Sequence, residues 1–122
     1  MKFSVEHNDS DGICIVSVHG EHKRPADTIL LQNLAQDIRH EKGCVKFIYD
    51  MREASITGTI SDTFKTGLRP GKEGFERDFR IALVYSEILE DHKFMEDVLV
   101  NRGYQVRTFD DIDKAIIWLK PE

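Results

Sequence analysis

Three short runs in this chain, residues 13–18, 44–49 and 81–85, are apolar on both alternating faces. A strand of that kind has to be covered on both sides, which places it in the middle of a sheet with helices packed against it. The stretches between and after these runs carry helical stripes. Leu30, Leu34 and Ile38 recur every four residues, with Leu31 and Ala35 beside them, after Pro25 and before Gly43. Phe94, Met95, Val98 and Leu99 form a second stripe that stops at Gly103, and Ile112, Ala115, Ile116 and Leu119 form another behind a cap at Asp110 or Asp111. Proline near a helix start and glycine just past its end are the expected boundary signals.

Two further segments read as one-sided strands. Phe3, Val5 and His7 alternate with Lys2, Ser4 and Glu6, and Tyr104, Val106 and Thr108 alternate with Gln105 and Arg107. The turn formers at 8–12 join the first of these to the run at 13–18 as an antiparallel hairpin. The order predicts one α/β domain over 1–122: a five-stranded mixed sheet with strand 1 antiparallel, strands 2–5 parallel, sequential order 1-2-3-4-5, and four helices. The fourth helix is the short one that Ser61 would cap, carrying Phe64 and Leu68, inside an otherwise irregular segment 51–78. Ile15, Leu34, Ile48, Leu83, Leu99 and Ile116 are the expected core. Right-handed crossovers in sequential order put their helices on one face. The last helix, with segment 51–78 across the rest, would then cover the other.

Composition excludes several function classes. The chain has 122 residues, 40% hydrophobic and 32% charged, with a formal net charge of -5. A chain of this size folds without a metal or disulfide staple, and the acidic balance argues against a nucleic-acid partner held by bulk charge. No stretch reaches the length of a membrane span, and the first residues carry no signal-like apolar run, so a cytoplasmic location is expected. Cys14 and Cys44 are expected to be buried and reduced, with no Cys-x-x-Cys pair.

Asp50, at the end of the third run, and Ser86, after the fourth, stand where a receiver domain keeps its phospho-accepting Asp and a hydroxyl. The remaining receiver parts fail. Only Glu21 offers a carboxylate after strand 2, Asp9 and Asp11 lie at the wrong sheet end, and strand 5 closes on Thr108-Phe109 with no Lys. His19-Gly20-Glu21-His22 is expected as an exposed loop, not a metal site, and His40 and His92 as surface residues. No nucleophile elbow or dinucleotide-binding glycine motif occurs. Arg69, Lys72, Arg77 and Arg80 form a mixed-charge segment with Glu73, Glu76 and Asp78, and Trp118 is expected to pack. No cofactor and no metal are expected.

The Asp-closed third strand, the strand at 80–84 and the ending Val106-Arg107-Thr108-Phe109-Asp110-Asp111 with its Ala115-Ile116-Ile117-Trp118-Leu119 helix resemble the SpoIIAA-like, or STAS-like, family. That resemblance implies a non-enzymatic bacterial regulatory domain that acts by binding. The founding members are anti-sigma-factor antagonists switched at a serine in an Asp-Ser-Ser-Gly turn after the third strand. The corresponding stretch here, from Asp50 to Ser61, has no such turn, so the phosphoserine switch does not carry over. A distant branch of the fold binds lipids, which gives the alternative of a carrier or sensor of a small apolar ligand. A receiver-like switch at Asp50 is the other alternative.

The expected binding region is the C-terminal end of strand 3, where open α/β sheets take their ligands. Its candidate residues are Asp50, Arg52, Thr57, Arg69, Lys72 and Ser86. The expected occupant is a ligand or a protein partner, with a second copy of the chain as one candidate, docking where segment 51–78 meets that sheet end.

Overall fold

The computed structural model describes residues 1–59 and 76–120. The elements are β1 (Lys2–Asn8), β2 (Ile13–Lys23), α1 (Ala26–Lys42), β3 (Lys46–Thr57), β4 (Arg80–Val84), α2 (Glu90–Asn101), β5 (Gln105–Phe109) and α3 (Ile112–Leu119). The sheet order is β1-β2-β3-β4-β5. β1 is antiparallel to β2, and each later neighbour pair is parallel. The expected sheet is therefore present in full. Among the described residues there are three helices where four were expected, because the helix expected after Ser61 lies outside them.

Local chemistry explains the boundaries. Asn8 Oδ1 accepts from the Ser10 N–H at 3.1 Å and Asp11 Oδ1 from the Ile13 N–H at 3.2 Å, closing the hairpin turn. Gly43 ends α1 in the left-handed region at φ 69°, its N–H bonded to the Arg39 carbonyl at 2.7 Å. That conformation is cheap only for glycine. At α3 the cap is Asp111, which accepts from the Asp113 N–H at 2.7 Å.

The core lies in two layers, one on each face of the sheet. On one face, Leu31, Ala35 and Ile38 of α1 and Met95 and Leu99 of α2 pack on Val16, Phe47, Tyr49, Ile81 and Leu83. On the other, Ala115 and Leu119 of α3 cover Ile13, Ile48, Ala82, Val84 and Phe109. This is the division expected from sequential strand order. Ile48, Leu83 and Leu99 are buried as expected, whereas Ile15, Leu34 and Ile116 are partly buried and pack on the margins of the two layers. Trp118 packs at 5.8 Å from Phe109, with the Arg80 guanidinium 4.5 Å from its ring.

Three expectations need correction. The alternation in β1 predicts one buried face, yet Phe3 is 41% and Val5 44% exposed at the sheet edge, where α1 leaves an open groove beside Phe3. β2 does not stop at Val18 and β3 does not stop at Asp50. They continue together to Lys23 and Thr57, where Lys23 stands opposite Thr57. Pairing, not apolar content, sustains that extension, so the hydropathy pattern gave no sign of it. His92 was expected at the surface and is 6% exposed.

Candidate functional site

β4 ends where Val84 stands opposite Asp50, and β2 and β3 run on past it. The result is a two-stranded arm at the C-terminal end of the sheet, pairing His19, Gly20, Glu21, His22 and Lys23 with Glu53, Ala54, Ser55, Ile56 and Thr57. At its root Ser17 faces Asp50 and His19 faces Glu53, so β3 carries one residue more than β2 there. Such a bulge bends the strand and re-aims the side chains beyond it. Above the bulge, Ala54 and Ile56 pack toward the α1 side of the core, while Glu53, Ser55 and Thr57 are exposed. The tip is tied down. The Arg24 N–H donates to the Thr57 carbonyl at 2.9 Å, and the Lys23 N–H to Asp27 Oδ2 at 2.7 Å.

Between the arm, α1 and α2 lies a small cavity of about 50 Å³, walled by Leu31, Met51, Leu83 and Met95 and edged by His22, Arg24, Thr28 and Tyr85. His22 is not the exposed loop residue expected from its surroundings in the sequence. It is 4% exposed, with Nε2 3.1 Å from Thr28 Oγ1. Tyr49 donates its hydroxyl to the Leu31 carbonyl at 2.8 Å. His92 stacks flat on Tyr85, ring centres 3.6 Å apart, and its Nδ1 accepts from the Leu89 N–H at 3.1 Å. Burial pushes the Tyr85 phenol up to about 12.

Burial also pulls both histidines below their ordinary 6.5. A base held below its unfolded value is neutral in the native state and charges more readily once unfolded. Stability is then fully present above pH 6.5 and falls as pH drops beneath it. The melting temperature is accordingly expected to decline as pH is lowered from 6.5 to about 5. The variant with both His22→Asn and His92→Asn should melt lower at neutral pH but with a flatter acid limb. A wild-type melting curve that is level over this range would contradict the assignment.

The sequence-predicted residues do not gather at the cavity. Asp50 stands opposite Val84, on the α3 side of the sheet. There Arg52 grips it with two bonds of 2.8 Å, Nε to Oδ1 and a terminal nitrogen to Oδ2. The guanidinium holds the Asp50 carboxyl below its ordinary range. Asp50 is thus an internal strand residue with both oxygens engaged. Thr57 is exposed at the arm tip and Ser86 is exposed in the bend after β4. Arg69 and Lys72 lie outside the described residues. Arg77 sits over the Tyr104 ring at 5.1 Å and Arg80 over Trp118, so these two cations serve packing and do not converge.

A second titratable group lies at the other end of the sheet. Cys14 and Cys44 are free, buried and adjacent. The Cys14 thiol donates toward Cys44, which raises the first and lowers the second. The Cys44 sulfur also lies 3.2 Å from the Gly12 carbonyl oxygen. With exposures of 0% and 5%, the pair is closed to a substrate. No cluster of metal-ligating side chains is present among the described residues, and no helix there is long and apolar enough to cross a membrane.

No protein-family model matches the chain, and no curated protein matches it in sequence. Solved structures do match its shape. An uncharacterised DUF3478-family protein with a SpoIIAA-like fold from Shewanella loihica superimposes with a TM-score of 0.60 at 16% identity, over 97% of this chain and 92% of that one. An anti-sigma factor antagonist from Mycobacterium paratuberculosis gives 0.56 at 15% identity, over 97% and 92%. The anti-sigma factor antagonist SpoIIAA, in its unphosphorylated form, gives 0.53 at 12% identity, over 97% of both chains. Element order, strand order and these superpositions agree, and the chain has the SpoIIAA-like fold.

Proposed function

We infer that this chain is a non-enzymatic regulatory domain that binds a protein partner at the C-terminal end of its sheet. The observation that carries the reading is the β2–β3 arm. It stands clear of β4, presents Glu53, Ser55 and Thr57 outward, and leaves the β3 edge without a strand partner among the described residues. A free strand edge with alternating side chains is a surface that protein segments recognise through main-chain hydrogen bonds. Asp50, Arg52, Thr57 and Ser86 are proposed as its contact residues, with Arg69 and Lys72 added on sequence grounds alone. Two structural neighbours are anti-sigma factor antagonists by name, which supports a protein as the occupant.

The rival readings draw less support. The cavity beside the arm, at about 50 Å³, is far below the roughly 300–1,000 Å³ of ligand pockets, so that cavity gives the apolar-ligand alternative no chamber. Nor does any observation favour a receiver-like switch, since Asp50 is locked to Arg52.

Site-specific photo-crosslinking in the host cell tests the partner reading. Benzoylphenylalanine in place of Ser55 or Glu53 is expected to trap one discrete protein, and the same probe in place of Lys114 on α3 to trap none. Equal capture from all three positions, or from none, would overturn it.

A further inference from the structure

β1 lies at the sheet edge with its outer side unpaired among the described residues. Natural edge strands are usually blunted, because a free edge pairs readily with another chain. This one reads Lys2-Phe3-Ser4-Val5-Glu6, and it is symmetric in character about Ser4: an apolar residue on either side, then opposite charges at the ends. We propose that β1 pairs antiparallel with β1 of a second copy of the chain across a two-fold axis at Ser4, joining the two sheets into one.

Three observations support this pairing. First, the register is self-complementary. With Ser4 opposite itself, Lys2 of each copy faces Glu6 of the other on one side of the sheet, and Phe3 faces Val5 on the other. A two-fold axis at Phe3 or at Val5 would bring neither charge opposite its complement. Second, the two charges are unpaired among the described residues. Lys2 stands opposite His19 and Glu6 opposite Ile15 on β2, and neither makes an ion pair among the described residues. Third, the pairing covers what the monomer leaves bare. Phe3 and Val5 are 41% and 44% exposed, and Phe3 lines a shallow groove against α1 together with Leu30, itself 43% exposed. A closed two-fold contact of one surface with itself is the commonest assembly of soluble proteins, and directly opposed cross-strand pairs are what set its register. The pairing uses the outer edge of β1, on the opposite side of the sheet from the β3 edge offered to a partner, so it stands or falls independently of the partner reading.

Charge reversal tests the proposal on the full chain by analytical ultracentrifugation. The wild type is expected to dimerise. K2E alone sets like charges opposite each other at two symmetry-related places, and so does E6K alone. Each is expected to weaken the dimer roughly ten- to thirty-fold. The double variant K2E/E6K restores opposite charges and is expected to return to wild-type affinity. Mixing the K2E and E6K proteins should give a heterodimer tighter than either forms alone, a gain that a folding defect could not produce. A wild type that stays monomeric up to about 1 mM would overturn the pairing. So would single variants that dimerise like the wild type, or a double variant no better than the singles.

Discussion

Phe47→Ala is expected to remove about 3–5 kcal/mol of folding stability. Phe47 is fully buried in the central strand, opposite Cys14 of β2 and Ile81 of β4. Its ring lies 5.2 Å from Phe79 and 6.5 Å from Tyr49, so truncation would open a cavity that both strand neighbours and the helix layer border. Domains of this size are stable by about 5–15 kcal/mol, so the loss is a large part of the total. Chemical denaturation should show the midpoint falling with the slope unchanged. Ile117→Ala, at a site 72% exposed, should stay within about 0.5 kcal/mol of wild type. Equal effects of the two substitutions would contradict the placement of the core.

Gly58→Ala is expected to be nearly as damaging for a different reason, costing about 2–4 kcal/mol. Gly58 has φ 88°, and a Cβ there would lie 2.5 Å from the Arg24 carbonyl oxygen and 2.9 Å from the Arg24 Cβ. Neither neighbour can swing away, because Arg24 is bonded through its N–H to Thr57. The alanine must therefore push the arm tip apart, and amide exchange at Arg24 should quicken first. Gly43→Ala is the contrasting case. Its φ of 69° is also left-handed, but nothing lies within 4 Å of the added carbon, so only the backbone strain of about 1 kcal/mol is expected. If the two alanines behave alike, the close approach at Arg24 is not what fixes the tip.

Much of the architecture was legible in the sequence because it rests on burial. The three two-sided apolar runs identify the central strands, and Gly43 and Asp111 mark helix boundaries through backbone chemistry that a single residue type serves. The arm was not legible. Residues 19–23 and 53–57 are held by ladder pairing and a bulge, and their composition resembles a loop. For the same reason His22 looked like an exposed histidine. His92 was misplaced because it stands at the start of α2, where its ring packs on Tyr85, a contact set by tertiary structure. Glu96 gave no signal either. It is buried because its carboxylate accepts the Thr108 N–H at 2.6 Å and its hydroxyl at 3.1 Å, fastening α2 to β5. Of the candidate site, the sequence pointed to the C-terminal end of the sheet, the end where the β2–β3 arm stands. It did not reveal that Asp50 and Arg52 satisfy each other on the face away from the cavity.

Hydrogen exchange on the chain alone and in complex with the protein trapped through Ser55 measures the central claim most directly. Partner binding at the arm predicts slowed exchange at residues 19–23 and 53–57, with β5 and α3 unchanged. Protection confined to the β1–β2 hairpin at residues 2–18, with both strands of the arm exchanging as in the free chain, would contradict it.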